Sequence, residues 1–428
     1  MHSFFNAKNF GAPVPAQGTL VVVRKEEDVR KIKKKSLVQF YLHGDLVTYV
    51  TRAFDRGAVG FIANCGRTNH GVIAAKELQV PFYITSKSLR ERTFYTLTDG
   101  KVVTGSVDIQ KPAHISYKPL HTKTEVRINL GFPNRRLRES PLLATHADGV
   151  GFARLEFIIL GIIKDLHPIT YLLKYGEKKF VRELQNELRL AVHAFSGKSF
   201  WIRTDDFSPQ QLKEQKGGGR YEDATGNELL SFRGVARSID DAWCDLGSFE
   251  PSLQGVSWIG LQLSAIAQLI NRFPKTRIGV FVPMVHDVSE YRRWKMLAAP
   301  ILKNAEYGVM VEVPSIAGRG ILPFVKEKLI DFMVIGSNDL TALTLGIDRN
   351  DERLQHLFSE EHPSVIRAMR ETIRLCKKHG IVTAIGGAAA SRPSLIAALY
   401  KSGIDIFSVN PDLETVMQVK SILKKLEA

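Results

Sequence analysis

The sequence predicts an α/β protein in which a small mixed-sheet domain precedes a (β/α)8 TIM barrel. Three observations lead there. Beyond about residue 125, short strands that are apolar almost throughout alternate with helical stretches, the pattern of parallel strands buried on both faces. Roughly eight or nine such strands fall in about 300 residues, the count and span of a closed barrel. The residues before them mix strands with helix and end in a polar segment with two prolines, "DIQKPAHISYKPLHTKT".

In chain order, "GTLVVV" and "SLVQFYL" read as strands and "VTYVTRAFDRG" as a helix. "AVGFIAN" reads as a buried strand, with "VPFYIT" and "KVVTGSV" closing the sheet. The first domain is thus placed at 1–112, a linker at 113–124 and the barrel at 125–428. Barrel strands are expected at "VRINL", "GVGFARLEF", "SFWIRTDDF", "LSFRGV", "IGVFVPMV", "GVMVEVP", "FMVIGSNDL", "IVTAIGG" and "IFSVNP", one of which must lie outside the ring.

Composition narrows the function classes. A chain of 428 residues with 44% hydrophobic content builds two or three sizeable cores. No apolar run approaches the roughly 20 residues of a membrane helix, and "MHSFFNAKNFGAPVPAQG" lacks the charged-then-apolar order of a signal peptide, so no membrane partner and a cytoplasmic location are expected. Cys65, Cys244 and Cys376 are odd in number and lack CxxC spacing, which argues against disulfides and zinc. The net charge of +15 would attract polyanions or small anionic substrates alike. Its densest cluster, "RKIKKK" at 30–35, reads as the solvated face of a short helix. Without interleaved aromatics it gives no support to nucleic-acid binding.

Catalytic groups of such barrels sit at the C-terminal ends of the strands. Arg154 ends "GVGFAR", Arg203 lies in "FWIR", Arg233 ends "LSFR", Glu312 ends "GVMVE", and Asn338 with Asp339 end "FMVIGSND". Any one of them reads equally well as half of a structural salt bridge, and Asn338–Asp339 as a helix N-cap. Collected at one rim, however, buried charges must be matched by something. Arginines fork onto carboxylate and phosphate oxygens, and Glu312 with Asp339 offers the hard oxygens that suit Mg²⁺. The ligand these residue types imply is a small phosphorylated carboxylate chelated through magnesium.

These motifs carry a resemblance. "CGRTNHGVIAAKELQVP" resembles the phosphohistidine stretch of phosphoenolpyruvate-utilising enzymes. "GVGFARLEFII", "RTDDF", "SFRGVAR", "VPMV", "GVMVEVPS", "IGSNDLTALTLGIDR" and "HPSVIRAM" resemble their phosphoenolpyruvate/pyruvate-binding barrel, in the same order. The likeness covers nearly the whole chain and is greatest to the phosphoenolpyruvate synthase (pyruvate, water dikinase) group. It implies a phosphohistidine swivelling domain whose His70 carries phosphate, with Arg154, Arg203, Arg233 and Asn338 binding substrate. It likewise makes Glu312 and Asp339 the Mg²⁺ ligands and implies barrels paired in a homodimer. A histidine after a tight Gly-Arg-Thr turn at a helix start suits this role, because the helix N-terminus favours incoming phosphate.

Two departures qualify the likeness. The group's ATP-grasp domain, which phosphorylates the histidine, has no counterpart here and no GxxxxGK[ST] loop replaces it, so a separate ATP-grasp subunit is the expectation. The group's last barrel motif reads G-x-C-G-[EQ], its cysteine serving as acid/base at the methyl carbon. Here "AIGGAAAS" puts Gly386 in that place and Ala388 where the polar residue follows. Neither Cys65, Cys376 nor Ser391 substitutes for it. The leading reading is a phosphotransferase acting on pyruvate, phosphoenolpyruvate or an analogue. The alternatives are a biosynthetic enzyme that phosphorylates a non-pyruvate substrate, for example to activate a carboxylate, and a regulatory protein that only binds phosphoenolpyruvate.

Overall fold

A computed structural model of the chain describes residues 4–42, 46–65, 69–107, 117–223, 226–348 and 351–428. They divide into two compact units, Met1–Tyr117 with Ile347–Phe358, and Lys118–Gly346 with Ser359–Ala428.

The first unit is built on one eight-stranded sheet: β1 (Phe4–Asn6), β2 (Lys8–Asn9), β3 (Ala16–Val23), β4 (Ser36–Phe40), β5 (Ala58–Ala63), β6 (Phe82–Ile84), β7 (Phe94–Thr98) and β8 (Lys101–Thr104). Their order is β1-β8-β7-β3-β4-β5-β6-β2. The central strands β3 to β6 run parallel and the flanking ones antiparallel. Leu20, Val22, Leu37, Ile62 and Leu97 anchor its core. All expected strands and the helix Val47–Asp55 are present, joined by β1, β2 and β7, which the sequence reading had not placed. Of "RKIKKK", only Arg30 and Lys31 lie in a helix, the 3-10 turn Glu26–Lys31, and Lys35 takes a φ of +62°. The expected short helix is therefore corrected to a turn followed by a loop. Residues 117–124 have no helix or strand.

The second unit is a closed, all-parallel barrel of β9 (Glu125–Leu130), β10 (Gly149–Arg154), β11 (Ser199–Arg203), β12 (Arg277–Val282), β13 (Glu306–Val311), β14 (Phe332–Gly336), β15 (Val382–Gly386) and β16 (Ile406–Val409). Eight of the nine expected strands form the ring. "LSFRGV" is the one outside it, a loop that enters the short helix Val235–Ser238.

The segment Pro251–Arg272 is, by length and composition, apolar enough to cross a membrane, which corrects the reading that no run approaches that length. Its helix Trp258–Arg272 buries Ile259, Leu263, Ile266 and Leu269 and packs on the helix Glu177–Ala194, as an outer barrel helix does.

Inside the ring, Phe152, Trp201, Phe281, Met310, Phe332, Val334, Ala384 and Ile406 form one apolar layer. Trp201 stacks on Phe332 with centroids 3.8 Å apart. Because strand side chains alternate, the residue two further along each strand faces the same interior one step nearer the C-terminal rim. From Phe152, Trp201, Met310 and Ala384 that step reaches Arg154, Arg203, Glu312 and Gly386. The apolar layer is the floor of the rim site.

Candidate active site

Two arginines are locked by carboxylates at this rim. Arg233 donates from Nε to Asp206 Oδ1 at 2.9 Å and from Nη2 to Asp206 Oδ2 at 2.6 Å, and Nη2 stands 3.9 Å from Asp339 Oδ2. Arg203 donates from Nη2 to Glu156 Oε1, while its Nη1 lies 3.3 Å from Asp206 Oδ2. Asp206 thereby joins both guanidinium groups. Neither Asp206 nor Glu156 was singled out from the sequence, although both follow an expected arginine within three residues, in "RTDDF" and "RLEF". Arg154 lies over the rings of Phe152 and Phe157, its guanidinium carbon 4.6 and 5.4 Å from their centroids. All of these charged side chains are buried.

The carboxylates crowd one another. Single oxygens of Asp206, Glu312 and Asp339 come within 4.8 Å of each other. Glu312 accepts a hydrogen bond from the N–H of Met284 at 2.8 Å, offered by a backbone with a left-handed φ of +53°. Burial, and then the charges of Asp339 and Asp206, push the Glu312 carboxyl up to about 8. Burial opposes the charge of Arg203 and Arg233, but their carboxylate neighbours outweigh it and hold both above the usual arginine value.

Asn338 and Asp339 are the second and third residues of the helix Ser337–Leu345, which follows β14 directly. The N-cap position belongs to Gly336, so the capping alternative for this pair is excluded. Asn338 Oδ1 is buried without a hydrogen-bond partner, as are Arg203 Nε and Glu156 Oε2. Such atoms cost stability unless a ligand completes them.

A second buried cluster supports the loop that carries Arg233. Arg237 donates to both oxygens of Glu222, at 2.7 and 2.9 Å, and to the carbonyl of Phe232 at 3.3 Å. His167 Nδ1 accepts from the N–H of Ile169, which leaves the ring proton on Nε2, 3.2 Å from Glu222 Oε1. Burial lowers the His167 value and so favours this neutral form. Arg233 is thus held by one carboxylate at its head and by this cluster behind its backbone.

The donor set fits a hard divalent cation. Glu312 and Asp339 supply oxygens, whereas both oxygens of Asp206 already accept from Arg233. A cation would also offset the mutual repulsion that, after burial, raises the Glu312 carboxyl.

In the first unit, His70 is the first residue of the helix His70–Glu77. Asn69 caps this helix: its Oδ1 accepts from the N–H of Gly71 at 2.9 Å and of Leu46 at 3.1 Å. The His70 side chain and the expected turn at Gly66–Arg67–Thr68 lie outside the described residues. Cys376 sits on the helix Pro363–Lys378 with its thiol pushed up to about 12 by burial, so it is no proton carrier at neutral pH.

The barrel is also the part of the chain that a known family matches. The family model described as PEP-utilising enzyme, PEP-binding domain, matches residues 115–428. The chain belongs to the phosphoenolpyruvate-utilising enzyme family. A probable phosphoenolpyruvate synthase of Archaeoglobus fulgidus is 32% identical over 98% of this chain and 54% of its own length. The phosphoenolpyruvate synthase of Pyrococcus furiosus is 31% identical over 96% and 50%, and that of Escherichia coli 30% identical over 85% and 47%. The chain spans about half the length of these curated relatives.

Proposed function

We propose that this chain is a phosphotransferase that moves phosphate between His70 and a small carboxylate bound at the barrel rim. The observation that supports it best is the buried convergence of Arg203, Arg233 and Asp206 with Glu312 and Asp339 at the strand ends. Arg154, Arg203 and Arg233 bind the phosphate and carboxylate groups, and Asn338 donates to or accepts from a substrate oxygen through its amide. Glu312 and Asp339 hold Mg²⁺, which when bound supplies positive charge to the phosphoryl oxygens. Asp206 keeps two guanidinium groups aimed and charged. His70 is the nucleophile that carries the phosphoryl group, on a domain of the phosphohistidine type. An ATP-grasp module would load it from ATP, and barrels paired as in the family would give a homodimer.

The test is intact-mass spectrometry of the protein after incubation with phosphoenolpyruvate and Mg²⁺, under alkaline conditions that preserve phosphohistidine. The wild type is expected to gain one phosphate and His70→Ala none. A label on both would overturn the assignment of His70, whereas calorimetric binding of phosphoenolpyruvate with no label on either would overturn phosphoenolpyruvate as the donor.

A further inference from the structure

The rim is chemically lopsided. Beside β14, whose end leads into Asn338 and Asp339, β15 ends at Gly386, an inward-facing position with no side chain. A Cβ at Gly386 would stand 3.2 Å from Cδ1 and 3.7 Å from Cε1 of Phe152, so the ring closes the space that a side chain there would enter. That ring is itself held, with the guanidinium carbons of Arg154 and Arg203 at 4.6 and 4.8 Å from its centroid. The next residue, Gly387, has a φ of +94°, and a Cβ on it would meet Ser337 Oγ at 2.6 Å. Ser337 Oγ is already engaged, 2.5 Å from Glu360 Oε1 and 3.1 Å from the Gly386 carbonyl. Among these residues the β15 side therefore offers a hydrocarbon face and one hydroxyl already donated to Glu360, and the Gly386 position itself supplies no base.

That absence selects among acceptors. Forming an enol phosphate from a 2-oxo acid requires a proton to leave the carbon beside the carbonyl, and a positioned base for such a step is worth about 10²- to 10⁴-fold. Phosphorylating the hydroxyl of a 2-hydroxy acid moves no proton at carbon. Such an acid still presents a carboxylate and a vicinal oxygen to the arginines, whereas phosphorylating the carboxylate itself would remove the anion they grip. Resting on the phosphotransfer reading above, we propose that the acceptor is a 2-hydroxy acid and that Phe152 is the specificity-determining residue that excludes enolisation. In the step, the hydroxyl oxygen forms the new P–O bond and the P–N bond of phospho-His70 breaks. The bonding pair stays on the imidazole nitrogen, which ends with the hydroxyl proton.

Two measurements on the full chain test this. In the first, His70 is loaded chemically with phosphoramidate, with His70→Ala as blank, and phosphorus NMR follows transfer with Mg²⁺ to glycolate, lactate or pyruvate. Transfer to a hydroxy acid is expected to exceed transfer to pyruvate by at least about a hundredfold. In the second, which needs no loading, proton NMR follows exchange of the pyruvate methyl group in D2O with Mg²⁺. The wild type is expected to match buffer, and the double variant Phe152→Leu/Gly386→Cys to exceed it. Methyl exchange by the wild type, or phosphoenolpyruvate formed as fast as a phosphorylated hydroxy acid, would overturn the proposal while leaving phosphotransfer through His70 intact. Phosphate that stays on loaded His70 with every acid would overturn both. A double variant that binds oxalate with Mg²⁺ yet exchanges no methyl protons would overturn the role given to Phe152.

Discussion

The two ends of the barrel treat charge differently. At the N-terminal ends of the strands, Lys420 donates to Asp148 at 2.7 Å, Arg127 to Glu125 at 2.6 Å, and Lys198 to the carbonyls of Ala144 and Ala147, no carboxylate among these being shared between two cations, although Arg127 Nη1 is buried without a partner. At the C-terminal rim, Asp206 serves two arginines, Glu312 is crowded by two carboxylates, and polar atoms of Asn338, Arg203 and Glu156 lack partners. The base is arranged for its own stability. The rim keeps an imbalance that an anionic, metal-bound ligand would resolve, at a cost to the unliganded fold.

The comparison breaks most directly at its hub. Asp206→Ala leaves two buried guanidinium groups short of a partner and is expected to lower stability by about 3–5 kcal/mol in urea denaturation. Lys420→Met at the base should cost no more than about 1–2 kcal/mol, since Asp148 is partly solvated and keeps its bond from the Val126 N–H. Equal losses in the two variants would refute the contrast.

The pH dependence sharpens it. A carboxyl whose folded value stands near 8, above its unfolded 4.5, holds a proton in the folded state that the unfolded chain has released. Without metal, stability should therefore fall as pH rises through that window, by on the order of a few kcal/mol. Glu312→Gln is expected to flatten this slope, and Mg²⁺ to flatten or reverse it, as thermal melts at several pH values would record.

Smaller effects separate neighbours within the rim. Gly387→Ala forces a side chain onto a left-handed φ and into Ser337, an expected loss of about 1–3 kcal/mol. Gly386→Ala meets the edge of Phe152 and, at 3.9 Å, Val334, and should cost under about 1.5 kcal/mol. Asn338→Ala should leave stability within about 0.5 kcal/mol, its Oδ1 having no partner to lose, yet weaken calorimetric binding of phosphoenolpyruvate with Mg²⁺.

The barrel was legible because most of its strands are nearly continuous apolar runs that end where a charged or small residue begins, β9 with Arg127 and Asn129 being the exception. "LSFRGV" has the same look, but Arg233 is placed by a bond to Asp206, 27 residues earlier, and by the Glu222–Arg237 cluster behind it. Local apolarity carries no trace of such long-range pairing. For the same reason Arg154 and Arg203 stood out at strand ends and Arg233 at the end of a segment that only looks like one, whereas Asp206 and Glu156 appear as ordinary acidic residues until the ring closes. β1 and β2 are three and two residues long, too short for alternation to register, and β7, "FYTLT", is recognisable mainly from its hairpin with β8.

The stacked floor of the barrel has an optical consequence. Trp201 is buried, stacked on Phe332, and lies two residues before Arg203 on the same strand. A ligand that draws Arg203 from Glu156 would alter the field and packing around that indole. With only four tryptophans in the chain, the rim is wired to an intrinsic fluorophore, and occupancy becomes readable as a change in emission without any label.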